Sequence, residues 1–148
     1  IATSLGTSEW ILVATPAYLK ARGRPRTPAD LKQHDCLLFG SDATLTLARD
    51  ERREVVSLAP RLLVTDLDVL DVALKAALGI AAMPSFLCEK AIRAGRLKHV
   101  LPGWNPPSTP LNLVYPSGRH LSPTVRSFID HVQERMRLRE RKGYPSPG

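Results

Sequence analysis

Short apolar runs that hand over directly to helix-start signals recur along this sequence, and that alternation restricts the fold more than any other feature. Residues 9–14 (EWILVA) are followed by Thr15-Pro16, which predicts a strand feeding a helix capped by Thr15, with Pro16 at its first position and Gly23 at its end. Thr27-Pro28-Ala29-Asp30 repeats the device and predicts a short turn through Lys32. Residues 36–39 (CLLF) read as a buried strand stopped by Gly40-Ser41-Asp42. Leu45 and Leu47 alternate with threonines, residues 55–58 and 62–64 are rich in β formers, and the charged stretch 49–54 is expected as a turn. Thr65-Asp66 cap a helix whose Leu67, Leu70, Leu74, Ala77 and Leu78 make one stripe, ending at Gly79.

Residues 80–83 (IAAM) then read as a strand, and Pro84-Ser85 opens a helix over 86–94 that Gly95 stops. Residues 97–101 and 111–115 read as strands on either side of the proline-rich loop 102–110. Ser122-Pro123 starts the most regular helix, with Val125, Phe128, Ile129, Val132 and Met136 on one face. That face needs a partner surface and, left bare, favours self-association. Residues 143–148 are expected to be a disordered tail. The alternation predicts an α/β fold, a mixed and mostly parallel sheet with helices on both faces.

A chain of 148 residues is long enough for a real core, so neither a disulfide nor a metal is needed to hold it. Cys36 and Cys88 lie far apart and read as small buried hydrophobes of a protein in a reducing cytoplasm. No window is apolar enough to span a membrane, and the first residues do not resemble a secretory leader. The start at Ile1, without an initiator methionine, is expected of a piece of a larger protein. The net charge of +7 concentrates in residues 20–26 and 135–142, where cations complement helix ends. Neither stretch combines bases with stacking aromatics or reads as a recognition helix, so direct nucleic-acid binding by this segment is not expected.

Little in the chain suggests catalysis. His34 with Cys36 is a lone H-x-C pair lacking further zinc ligands, and His99, His120 and His131 are isolated. No nucleophile elbow, P-loop or dinucleotide fingerprint is present. Asp66, Asp68 and Asp71 could face one cleft, but carboxylates in a first helical turn are stabilised there by the helix dipole in any case. We therefore expect no enzyme, no cofactor and no metal.

Three stretches carry a family resemblance. The run LVATPAYLKARGRPRTPADLKQHDCLLF resembles the middle of the sensor domain of LysR-type transcription regulators, with its S/T-P-x-Y-L, P-x-D-L and H-x-C-L pattern. Residues 66–84, ending ALKAALGIAAMP, are similar to that family's helix followed by G-I-A-x-x-P. Gly95-Arg96-Leu97, Val100-Leu101-Pro102, Trp104, Pro110-Leu111, Tyr115-Pro116 and Ser122-Pro123 with Val125, Arg126 and Phe128 resemble its C-terminal signature. One departure is the hairpin region 45–55, where the family often carries a tryptophan and a glycine.

The resemblance implies a Rossmann-like, three-layer subdomain built as in type 2 periplasmic binding proteins. Residues 1–13 would be the end of regulatory subdomain I and the first crossover strand, residues 14–112 subdomain II, and residues 113–142 the return crossover and the C-terminal helix of subdomain I. A small-molecule effector would lie in the cleft between the subdomains. Ligands of open α/β sheets bind outside the carboxyl ends of the strands, which nominates Phe39, Gly40, Ser41, Thr65, Asp66, Met83, Pro84 and Ser85. The family also implies a homodimer using the helix over 67–78, tetramers of the intact protein, and DNA binding through an absent N-terminal winged helix-turn-helix. A free-standing solute-binding protein of the same fold is the alternative.

Overall fold

The computed structural model describes residues 2–114 and 122–141. Two compact units arise, one from Ile1–Glu9 with Ser108–Gly148 and the other from Trp10–Pro107. In the first, β1 (Ala2–Ser8) pairs antiparallel with β9 (Thr109–Val114), and the unit also holds α4 (Pro123–Arg141). Ser122 starts α4 by accepting the Val125 N–H on Oγ at 3.2 Å. Ile129 is buried, whereas Val125 and Phe128 are 39% and 57% exposed, so much of the apolar face expected there is open.

The second unit is built on the sheet β6-β3-β7-β2-β8, comprising β6 (Leu62–Val64), β3 (Cys36–Phe39), β7 (Ile80–Pro84), β2 (Trp10–Ala14) and β8 (Lys98–His99). β3 runs parallel to β6 and β7, and β2 is antiparallel to both β7 and β8, so β2 alone opposes the common direction. Burial on both faces explains the uninterrupted apolar runs. Leu12, Ala14, Cys36, Leu38, Ile80 and Ala82 point to one side, where Tyr18 and Leu19 of α1 (Pro16–Arg22) and Leu31 of a 3-10 turn (Pro28–Gln33) pack. Ile11, Val13, Leu37, Ala81 and Met83 point to the other, against Leu70, Ala73 and Leu74 of α2 (Leu67–Lys75) and Cys88 and Ala91 of α3 (Ser85–Arg93). The three-layer α/β expectation is met.

The local signals act as read at most boundaries. Thr15 Oγ1 accepts the Tyr18 N–H at 3.2 Å, and Gly23 ends α1 at φ 80°. Asp30 Oδ2 accepts the Arg26 and Thr27 N–H groups at 2.9 and 3.0 Å. His34 has its ring hydrogen-bonded, and both cysteines are buried. The acidic trio is structural: Asp66 caps α2 through the Asp68 N–H at 2.8 Å, and Asp71 pairs with Lys75 at 2.7 Å.

The polar segment Ala2–Ser8, lacking an alternating pattern, forms a strand because β9 supplies its ladder. The expected bounds of other elements are corrected. The 49–54 turn shrinks to Asp50 and Glu51, since β4 (Thr44–Arg49) and β5 (Arg52–Ser57) pair up to Arg49 and Arg52, and their outward faces tolerate charge. α2 stops at Lys75, with Ala77 in the left-handed region at φ 60°, so Gly79 is not its terminator. The 97–101 strand keeps only Lys98 and His99, because Leu101 turns the chain at φ 52°. His120 and the 143–148 tail lie outside the described residues.

Candidate functional site

Strand direction gathers the nominated positions on one edge of the second unit. Phe39 at the end of β3 is in register with Val64 at the end of β6, and the Gly40 N–H donates to the Val64 carbonyl at 2.8 Å. The Leu37–Ala81 register carries β7 to the same level, so Pro84 and Ser85 leave the sheet beside Phe39. Thr65 and Asp66 follow β6 there and lead into α2. Two helix N-termini, those of α2 and α3, therefore open beside this edge. Helix starts present N–H donors and a partial positive charge.

The nominated side chains are not equivalent. Phe39 is 40% exposed, Ser41, Thr65 and Asp66 are exposed, and the Asp66 carboxylate is committed to its cap. Gly40 has φ 122° and nothing within 4 Å of where a Cβ would stand, so its backbone borders open space. Met83 is fully buried in the core, and Pro84 is buried. Ser85 begins α3, which has no side-chain cap because its N-cap residue is Pro84. Its hydroxyl is shut off from solvent and has no hydrogen-bond partner among the described residues. The Cα–Cβ bond of a helical residue tilts toward the helix start, so the Ser85 Cβ leans toward the opening of α3.

Trp10 is a rim residue that sequence reasoning missed. β2 runs against β7, pairing Trp10 with Pro84, and the Trp10 and Phe39 rings lie 5.6 Å apart at 35°. Its position in a run read as a crossover strand gave no sign of this, because the signal is the direction of β2 relative to β7.

At the opposite edge, Tyr18, His34 and Asp35 form a chain. The Asp35 N–H donates to Tyr18 Oη at 3.1 Å, and Tyr18 Oη lies 2.9 Å from His34 Nδ1. Burial raises the Tyr18 pKa above the usual phenol value; burial, and then the nearby Arg22 charge, lower that of His34. Among the described residues, no group of three or more His, Cys, Asp or Glu side chains could hold a metal ion. None of the described helices is long and apolar enough to cross a membrane.

Comparison with known proteins agrees with this architecture. Residues 1–137 match the LysR substrate binding domain family. The HTH-type transcriptional regulator PtxR of Pseudomonas aeruginosa is 33% identical over 139 residues, covering 91% of this chain and 44% of PtxR. A probable HTH-type regulator of Klebsiella pneumoniae, LtrA, is 32% identical over 84% of this chain and 42% of its own length. This chain thus spans less than half of these curated relatives. The regulatory domain of AphB from Vibrio vulnificus superposes with a TM-score of 0.74 at 31% identity, covering 91% of this chain and 68% of that one. These relatives are transcription regulators rather than enzymes. With its match over residues 1–137, the chain belongs to the LysR substrate binding domain family.

Proposed function

We propose that this chain is the effector-sensing part of a LysR-type transcription regulator, and that its small-molecule effector docks at the carboxyl-end rim of the five-stranded sheet. The supporting observation is convergence: the ends of three parallel strands, the starts of α2 and α3 and the Trp10–Phe39 pair share one edge. Phe39, Gly40, Ser41, Thr65, Asp66, Pro84 and Ser85 contact the effector or its first waters, and Met83 supports them from the core. Residues 14–112 form regulatory subdomain II, and residues 1–13 and 113–142 belong to the crossovers and to subdomain I; the effector is clasped between the two subdomains. It acts on DNA, through an N-terminal winged helix-turn-helix of the intact dimer or tetramer, by binding two states of the sensor with different affinity. The regulators among the relatives favour this reading over a free-standing solute-binding protein.

Thermal-shift screening of the full-length protein against small carboxylates and aromatic compounds tests it. A ligand at a hundred times its Kd stabilises by about 2.7 kcal/mol through mass action. A midpoint rise that Phe39→Ala or Trp10→Ala abolishes is the expected result. A flat response across the panel, or a rise that neither variant alters, would refute the proposal.

A further inference from the structure

Asp35 joins several elements at the amino ends of the strands. Its N–H reaches Tyr18 of α1, and its carbonyl accepts the Ile80 N–H at the start of β7 at 2.8 Å. Its carboxylate binds Arg22 of α1 at 2.8 Å, with Arg61, just before β6, at 3.6 Å. Arg22 also donates to the Gln33 carbonyl at 3.1 Å, and Arg61 to the Leu78 carbonyl at 3.1 Å.

One hydrogen-bond direction in this junction is fixed by its donor. A backbone N–H can only donate, so Tyr18 Oη accepts from Asp35. In the Nε2-protonated tautomer of neutral His34, the single phenolic proton is directed at the Nδ1 acceptor, 2.9 Å away. Protonating Nδ1 replaces that acceptor with a donor, so the phenolic proton loses this partner. Tyr18 is only 4% exposed, so its hydroxyl has little water to turn toward.

Charges around His34 act in both directions. Arg22 of α1, 5.9 Å above the Tyr18 ring centre, opposes an imidazolium, while Asp30 of the 3-10 turn and Asp35 favour one. Both carboxylates are committed, Asp30 to the Arg26 and Thr27 N–H groups and Asp35 to two arginines. Lys32 of the 3-10 turn, Arg61 beside Asp35 and the uncharged, buried Cys36 thiol complete the surroundings.

We propose that the Tyr18–His34–Asp35 chain is an acid-released latch: protonation of His34 breaks the hydroxyl-to-imidazole bond and loosens α1 from the start of β3. The same strand ends at Phe39, with Gly40 just beyond it, so the latch is a regulatory input separate from effector docking. Because His34 titrates below its ordinary value of 6.5, the latch contributes fully above that value and is lost as pH falls through the lower one. Each unit of that lowering is worth about a tenfold change in the ratio of folded to unfolded chain.

The test is NMR of the full chain with labelled histidines, together with thermal midpoints from about pH 8 to about pH 5. His34 should titrate below 6.5, with an Nε2-protonated ring at neutral pH. His34→Asn keeps an acceptor near the Nδ1 position without a titrating group, so its midpoint should fall less in acid than that of the wild type. His34 titrating at or above 6.5, an Nδ1-protonated neutral ring, or equal acid slopes in wild type and His34→Asn would each overturn the latch. If His34→Asn fails to fold, the wild-type titration decides alone.

Discussion

Replacing Gly79 with alanine would drive a methyl group into the backbone of Asp35. The added carbon would collide with the Asp35 carbonyl oxygen and stand 3.0 Å from its carbonyl carbon and 3.2 Å from its Cβ. Gly79 is not among the positive-φ glycines, so crowding rather than dihedral strain sets the cost. Relief requires β3 and β7 to part, which weakens the 2.8 Å bond from the Ile80 N–H to the Asp35 carbonyl at the head of both strands. Overpacking of this kind costs about 1–3 kcal/mol, and a weakened buried backbone bond adds about 1 kcal/mol. The lower entropy of the unfolded alanine chain returns roughly 0.4–1 kcal/mol. The net loss is about 2 kcal/mol, which for a chain near this length lowers the thermal midpoint by about 4–8 °C. Thermal and urea unfolding of Gly79→Ala measure it, with an unchanged m-value marking a stability effect alone. A midpoint within about 1 °C of the wild type would refute the reasoning, because it would mean that the Asp35 backbone yields at no cost.

Ser85→Ala removes a buried hydroxyl that has no partner among the described residues, so the unliganded protein should gain roughly 1 kcal/mol, or about 3 °C, while effector affinity falls. A comparable loss of stability in a thermal scan would show instead that the hydroxyl is satisfied. Burial pushes the Cys36 and Cys88 thiols up to about 11 and about 12, so at neutral pH both are held as unreactive thiols. Neither should label with an aromatic disulfide reagent until denaturant unfolds the chain, and labelling of the native protein at the rate of a free thiol would contradict their burial.

What the sequence reveals depends on how far apart the cooperating residues lie. Thr15-Pro16, Thr27 with Asp30, and Asp66 are legible because each boundary is made within a few residues by a side chain that satisfies a nearby N–H. The rim positions after β6 and β7 follow from strand-then-helix order, which a single chain displays, while those after β3 follow from the Gly40-Ser41-Asp42 stop that ends the strand. Gly79 misleads because its neighbour is the backbone of Asp35, while Ala77 takes the left-handed position that a terminating glycine would have held. Trp10 reaches the rim only because β2 opposes β7, a fact of pairing that no local pattern carries. β1 is hidden for the same reason, since its ladder partner is β9, near the other end of the chain.

The pairing of Ser8 with Thr109 makes the chain depart and come back through neighbouring rungs of a single ladder. A segment whose two ends are neighbours can be excised and sealed with a short flexible bridge, or grafted as a cassette into the hairpin of an unrelated host. Residues 10–107 meet that condition, and the exposed Asp50–Glu51 tip offers a place to open new termini in a circular permutant.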